Sequence, residues 1–122
     1  MKVLHISTYE KKGGAAIAAF RLNEAMNRYG IDSKMLVCRV SAHSSENPYL
    51  RNARWIKLKQ SFLSHCSQLF QKYCLKSEFV FSLGHFGIHI SKLPEVVDAD
   101  VIYIHWINHN FLSIKEIHRL LR

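Results

Sequence analysis

Gly13 and Gly14 close a polar loop, Tyr9 to Lys12, and stand directly before an alanine-rich stretch. Glycine lets a ligand approach the backbone with no Cβ in the way. A helix beginning there would present unpaired N–H groups and a partial positive charge. A second group lies late in the chain: His105, Trp106 and Asn108. An imidazole titrates near neutrality, an indole offers an apolar face for stacking on a sugar ring, and a carboxamide both donates and accepts hydrogen bonds to hydroxyls. These types suit a site that binds a polyol or an anion, and they do not make up a catalytic set. The plain alternatives stand beside this reading: a Gly-Gly pair before a helix is often only a tight turn, and a strand-end tryptophan or histidine is often core.

The elements that must position these residues are legible on either side of them. Val3 to Ile6 is a short apolar run closed by Ser7 and Thr8, and it reads as a strand. After the glycines, Ala15, Ala18, Ala19, Leu22, Ala25, Met26 and Tyr29 recur at helical spacing, with Gly30 where a left-handed cap falls. Lys34 to Val40 reads as a second strand, with Met35, Val37 and Arg39 on one side and Leu36, Cys38 and Val40 on the other. Strand, glycine loop, helix and strand form a right-handed βαβ unit. Val101 to Ile107 is nearly all apolar, as a parallel strand covered on both faces would be. Ser113, with Glu116 three residues on, has the spacing of a capping box before a closing helix. The C-terminal ends of parallel strands share one edge, so neighbouring first and last strands would bring Gly13, Gly14, His105, Trp106 and Asn108 into one crevice. Neither the G-x-G-x-x-G fingerprint nor a P-loop is present.

Between these units the chain changes character. Ser41 to Pro48 is polar and turn-rich, an exposed loop. Residues 49–77 read as a helical insertion in which Trp55, Leu58, Phe62, Cys66, Leu69 and Tyr73 follow a three-four rhythm. Its charged side chains are all basic: Arg51, Arg54, Lys57, Lys59, Lys72 and Lys76. Such a stripe usually faces a core, with the lysines solvated; the sharper reading is a basic amphipathic surface that meets an anionic membrane. Phe79, Phe81 and Ile88 to Ile90 suggest short extended pieces, and Gly84 and Gly87 a flexible loop.

Composition bounds the rest. A chain of 122 residues with 48% hydrophobic side chains suits one domain with a core. No apolar run approaches a membrane span, and no signal peptide opens the sequence, so a cytoplasmic protein is expected. The three cysteines, Cys38, Cys66 and Cys74, form no C-x-x-C pair and read as free, buried thiols. His5 lies mid-strand and reads as structural; His43, His65, His85, His89, His109 and His118 lack metal-ligand spacing, and no metal is expected. A net charge of +8 points to acidic partners, yet no nucleic-acid module is recognisable.

MKVLHIST followed by KKGGAAIAAFRLNEAMNRYGIDSKMLV resembles the start of family-4 glycosyltransferases of the GT-B fold, and DADVIYIHWINHNFLSIKEIHRLL resembles a later strand of the same N-terminal half. The resemblance implies an α/β fold, a Rossmann-like three-layer parallel sheet that is an incomplete half of a GT-B fold. It implies transfer of a sugar from a sugar nucleotide to a glycan or lipid-linked acceptor in bacterial polysaccharide or glycolipid assembly, with Gly13, Gly14, His105, Trp106 and Asn108 on the acceptor side. In that family the donor phosphates are held mostly by the C-terminal half, and a further strand brings a histidine to the reaction centre. Neither lies within these residues. The expectation is therefore an acceptor-side portion with no complete active site and no cofactor of its own, located in the cytoplasm or peripherally on the inner face of the membrane. A bare sheet edge at 101–107 would favour a homodimer through residues 101–110 or 113–121. The competing reading is a non-enzymatic Rossmann-like module for a nucleotide or anion; a basic nucleic-acid-binding domain is the third.

Overall fold

The computed structural model describes residues 1–39, 50–52, 54–73, 84–85, 87–107 and 109–121, with the backbone alone at 50–52, 54–60, 63 and 71. In chain order the elements are β1 (Lys2–Tyr9), α1 (Gly14–Arg28), β2 (Asp32–Arg39), β3 (Leu50–Asn52), α2 (Arg54–Tyr73), α3 (Pro94–Val97), β4 (Val101–Ile104) and α4 (Ile114–Leu120). The four strands form one parallel sheet in the order β3-β2-β1-β4. Val3 stands opposite Ser33 on one side and Val101 on the other, and Ile6 opposite Leu36 and Ile104. The protein is thus an α/β fold. β3 is a strand in a segment read from sequence as helical; three residues are too few to show a period.

The two-residue alternation of β1 and β2 divides the side chains between two layers. Leu4, Ile6, Leu36 and Cys38 pack under Phe111, with Ile117 and Leu120 of α4 against the same cluster. On the opposite face Met35 and Val37 meet Ala19 and Phe20 of α1. α1 buries Ala16, Ala19 and Asn23, and leaves Ala15, Ala18 and Leu22 outside. The expected face is therefore rotated by one position. Alanine spacing carries little directional signal, and the inner line is fixed by polar contacts. Asn27 Nδ2 donates to the Ser33 carbonyl at 2.8 Å, and Ser33 Oγ donates to Asn23 Oδ1 at 2.8 Å. The helix ends in a Schellman motif: Gly30 at φ 79° donates to the Asn27 carbonyl and Ile31 to that of Met26.

Two further findings differ from the sequence reading. In α2 the apolar stripe faces solvent where its side chains are described: Phe62 is 71% exposed and Tyr73 70%, while Ser67 is buried. Cys66, on the same stripe, is an exposed free thiol and Cys38 a buried one; Cys74 and Lys76 lie outside the described residues. β4 is likewise less covered than its composition suggests, with Tyr103 41% exposed. Among the described residues its outer edge has no partner strand.

The closing segment is held by close packing and by one buried carboxylate. Gly87 is no flexible hinge: a Cβ there would collide with the Ser113 backbone nitrogen and come within 2.7 Å of the Leu112 carbonyl carbon. Ser113 caps α4 as expected, its Oγ accepting from the Glu116 N–H at 3.2 Å. The Glu116 side chain does not complete the capping box. Fully buried, its Oε1 accepts from the backbone N–H groups of Ile90 and Ser91, each at 2.8 Å, and its Oε2 lies 2.8 Å from both His89 Nδ1 and Arg119 Nη1. Burial alone would raise this carboxyl's pKa; the contacts from His89, the Ser91 N–H and Arg119 outweigh it and hold the group at about 2.

A carboxyl whose folded pKa lies below its unfolded one contributes stability above the unfolded value and loses it as pH falls through the folded one. Stability should therefore decline from about pH 4.5 toward pH 2. Glu116→Gln should cost on the order of 2 kcal/mol at neutral pH and flatten that decline, as read by urea unfolding across the acid range.

Candidate functional site

β1 is the branch point of the sheet. The chain runs from β1 through α1 to β2 and β3 on one side, and returns to β4 on the other. Open α/β sheets bind ligands beyond the carboxyl ends of strands at such a switch in order. The ladder continues past β4: the His105 N–H donates to the Ile6 carbonyl at 2.9 Å, and the Thr8 N–H to the Trp106 carbonyl at 2.8 Å. These bonds hold the loop after β4 beside the end of β1. Between that loop and the start of α1 lies a cleft of about 390 Å³, lined by Ser7, Tyr9, Lys12, Gly13, Gly14, Ala15, Ala16 and Trp106.

The structure thus brings Gly13, Gly14 and Trp106 together. Gly13 adopts φ 88° and ψ 159°, a conformation open essentially to glycine. It precedes α1 with no side-chain cap, and no acidic residue lies in the first turn. The start of α1 therefore meets the cleft with neither a capping side chain at Gly13 nor a carboxylate in its first turn to offset the partial positive charge there. A Cβ built on Gly13 or Gly14 meets nothing within 4 Å, so packing does not demand glycine at either position. Trp106 is 57% exposed, an indole available as a platform and not a core residue. Ser7 is held inward, its hydroxyl donating to the Tyr9 carbonyl at 2.9 Å.

Tyr9 is the focus of an electropositive rim. Lys12 Nζ lies 5.6 Å and Arg39 Cζ 5.7 Å from its ring centroid, and the His109 ring meets it edge-on at 6.1 Å. Burial lowers the His109 pKa, and the Arg39 and Lys12 charges lower it further, which keeps this imidazole neutral at neutral pH. The loop that carries it has two successive non-glycine residues in the left-handed region, His109 at φ 55° and Asn110 at φ 56°. Asn and His tolerate that region better than most residues, at some cost in strain. Asn110 is buried with an unpartnered Oδ1, and the His109 carbonyl accepts from Ser64 Oγ of α2 at 3.2 Å.

His105 does not line the cleft. Its half-buried ring turns back along the sheet, and its Nε2 lies 2.9 Å from Nδ1 of the fully buried His5. Burial lowers the pKa of both rings, that of His5 to about 4 with a further contribution from His105. Asn108 lies outside the described residues. Tyr9, Lys12, Arg39 and His109 are site residues that sequence reasoning missed. The available signals were Lys12 beside the glycine pair and Arg39 at the carboxyl end of a strand adjoining the switch. Among the described residues no group of His, Cys, Asp and Glu side chains could hold a metal ion.

Comparison with protein-family models, with curated proteins and with solved structures gave no match.

The rim charges have a direct readout. Arg39→Gln removes a neighbouring cation, so the His109 pKa should rise; added salt should raise it in the unmodified protein and have less effect in the variant. An NMR titration of the imidazole signals measures both.

Proposed function

We propose that this chain is the acceptor-side portion of a GT-B glycosyltransferase resembling family 4, moving a sugar from a sugar nucleotide to a glycan or lipid-linked acceptor. The observation that carries this reading is the cleft at the β1/β4 switch, with an uncapped, glycine-opened helix start on one wall and an exposed indole on the other. A pyranose ring has apolar faces and a polar rim. Trp106 can take the face, while the first N–H groups of α1 and the Tyr9 hydroxyl can bond to the rim. Lys12 and Arg39 favour an acceptor that carries negative charge.

The electropositive rim also favours a second reading, a binding module for a nucleotide or anion with no enzymatic role. One experiment separates the two. Neutral and anionic saccharides, and nucleotides, are titrated while Trp106 fluorescence is followed. Saturable binding of saccharides supports the transferase reading; binding of nucleotides alone supports the module. Gly14→Val would project a branched side chain into the empty cleft without touching the core. It should weaken saccharide binding at least about tenfold while changing stability by less than about 1 kcal/mol. Unchanged affinity in this variant removes the glycine loop from the site.

The partner surface follows from α2. Phe62, Leu69, Phe70 and Tyr73 are exposed beside Lys72, and the helix also carries Arg54, Lys57 and Lys59 but no acidic residue. No described helix is long and apolar enough to cross a membrane. We propose that the protein lies on the cytoplasmic face of an anionic membrane, held by this helix, with Arg51 and Lys76 near it in sequence, where a lipid-linked acceptor would lie. The β4 edge, which has no partner strand among the described residues, is proposed as a second contact surface for a strand from another copy of the chain. Binding to lipid vesicles should rise with anionic lipid content, fall with salt, and drop in Phe62→Ser/Phe70→Ser. Equal binding to neutral and anionic vesicles would leave α2 without this role.

A further inference from the structure

We propose that His5 is a positioning residue for His105: it donates its Nδ1 proton to His105 Nε2 and thereby fixes His105 as the Nδ1–H tautomer, a hydrogen-bond donor beside the cleft. The two rings lie 2.9 Å apart between these nitrogens, with centroids 5.2 Å apart and planes 17° from parallel. So short a nitrogen contact at that centroid spacing means the rings meet edge to edge, nearly in one plane. That is the geometry of an N–H···N bond along a lone pair. Each neutral imidazole has one N–H and one lone pair, so one ring must donate and the other accept.

The direction is decided by the other nitrogen of His5. His5 Nε2 is buried and has no hydrogen-bond partner. If His5 accepted at Nδ1, its proton would sit on Nε2, leaving a buried N–H with nothing to meet. If it donates at Nδ1, Nε2 is a bare lone pair. Genuinely orphaned buried N–H groups are rare in native structures, which favours the arrangement without one. His5 is neutral at neutral pH, since burial first and the neighbouring His105 second lower its pKa to about 4. The donor role therefore falls to His5 Nδ1, and His105 Nε2 accepts.

His105 then carries its own proton on Nδ1. That atom is not among the buried unsatisfied atoms, and no described residue bonds to it. It is open to solvent or ligand. Tyr103 stacks on His5 from the neighbouring register position, with centroids 5.2 Å apart and planes 10° from parallel, and this limits rotation of the His5 ring. Because Ile6 pairs with Ile104, the next residues along, Ser7 and His105, also stand side by side, and Ser7 lines the cleft. The pair thus leaves His105 Nδ1–H as a neutral donor on the sheet face next to Ser7, outside the cleft's own lining, with the acceptor nitrogen of His105 occupied. The use of that donor rests on the saccharide-site reading above; the tautomer does not.

The test is a two-bond ¹H–¹⁵N correlation spectrum of the uniformly ¹⁵N-labelled chain at neutral pH, which distinguishes protonated from bare ring nitrogens. His105 should be protonated at Nδ1. His5→Asn, whose amide keeps an N–H near the Nδ1 position, should preserve that pattern, and His5→Leu should release it toward the Nε2–H form that free imidazoles favour. His105 protonated at Nε2 in the unmodified chain overturns the proposal on its own, whether or not either variant folds. An unchanged tautomer in a folded His5→Leu overturns it as well. With the tautomer in place, saccharide affinity should survive His5→Asn and fall about threefold to tenfold in His5→Leu. Absence of saccharide binding in the unmodified chain would count against the site reading while leaving the tautomer result standing.

Discussion

β1 hydrogen-bonds in parallel to β2 on one side and β4 on the other, and the placement of the site depends on that double pairing. Parallel strands must point the same way, so the loops that follow β1 and β4 emerge at one edge. The switch in strand order on either side of β1 leaves a crevice between those loops. Gly13 and Trp106 are far apart in sequence and share one cleft for this reason alone. The bonds from His105 to Ile6 and from Thr8 to Trp106 extend the pairing beyond the strand proper and bring its order to the cleft's rim.

The period of two along β1 then assigns different work to its two faces. Leu4 and Ile6 point into the larger cluster under Phe111. His5, Ser7 and Tyr9 point to the other face, where α1 covers β2 and the start of the cleft but does not cover β4. Buried polar groups are tolerated there because most have partners: Ser7 with the Tyr9 carbonyl, His5 with His105. An apolar residue of similar size at position 5 would lose the hydrogen bond to the neighbouring strand end. On the opposite side of the molecule Glu116 does similar work for the fold. Its carboxylate gathers the amides of Ile90 and Ser91 and so ties a segment without regular structure to α4.

The alternation of Met35, Leu36, Val37 and Cys38 was legible in the sequence and is realised as two layers, because burial on each face of a sheet is set by period alone. Gly30 and Ser113 were legible because caps depend on a single residue's backbone freedom or hydroxyl. The inward face of α1 was not, since alanines fit either side and the choice was made by Asn23 and Asn27 reaching Ser33 across the βαβ turn. The glycine loop and Trp106 could be expected in one crevice once β1 and β4 were taken as neighbours. The turning of His105 toward His5 could not, because both ring orientations are compatible with the same backbone. Arg39 and His109 converge on Tyr9 only after β2 and the loop beyond β4 are placed on either side of it.

α2 shows how a misleading pattern arises and what it implies. Phe62, Cys66, Leu69 and Tyr73 have the spacing of a core stripe, yet among the described side chains of the helix it is Ser64 and Ser67 that turn toward the domain. Burying one large apolar side chain is worth roughly 1.5–3 kcal/mol, so this stripe leaves a substantial driving force unused within the described fold. Folding alone gives no reason to maintain it at helical spacing among residues whose charges are all basic. An anionic interface would use both features at once, taking the aromatic side chains into its apolar boundary and the cations at its surface. The bond from Ser64 to the His109 carbonyl joins this helix to the loop at the cleft's rim. A surface that captured α2 would therefore lie next to the cleft.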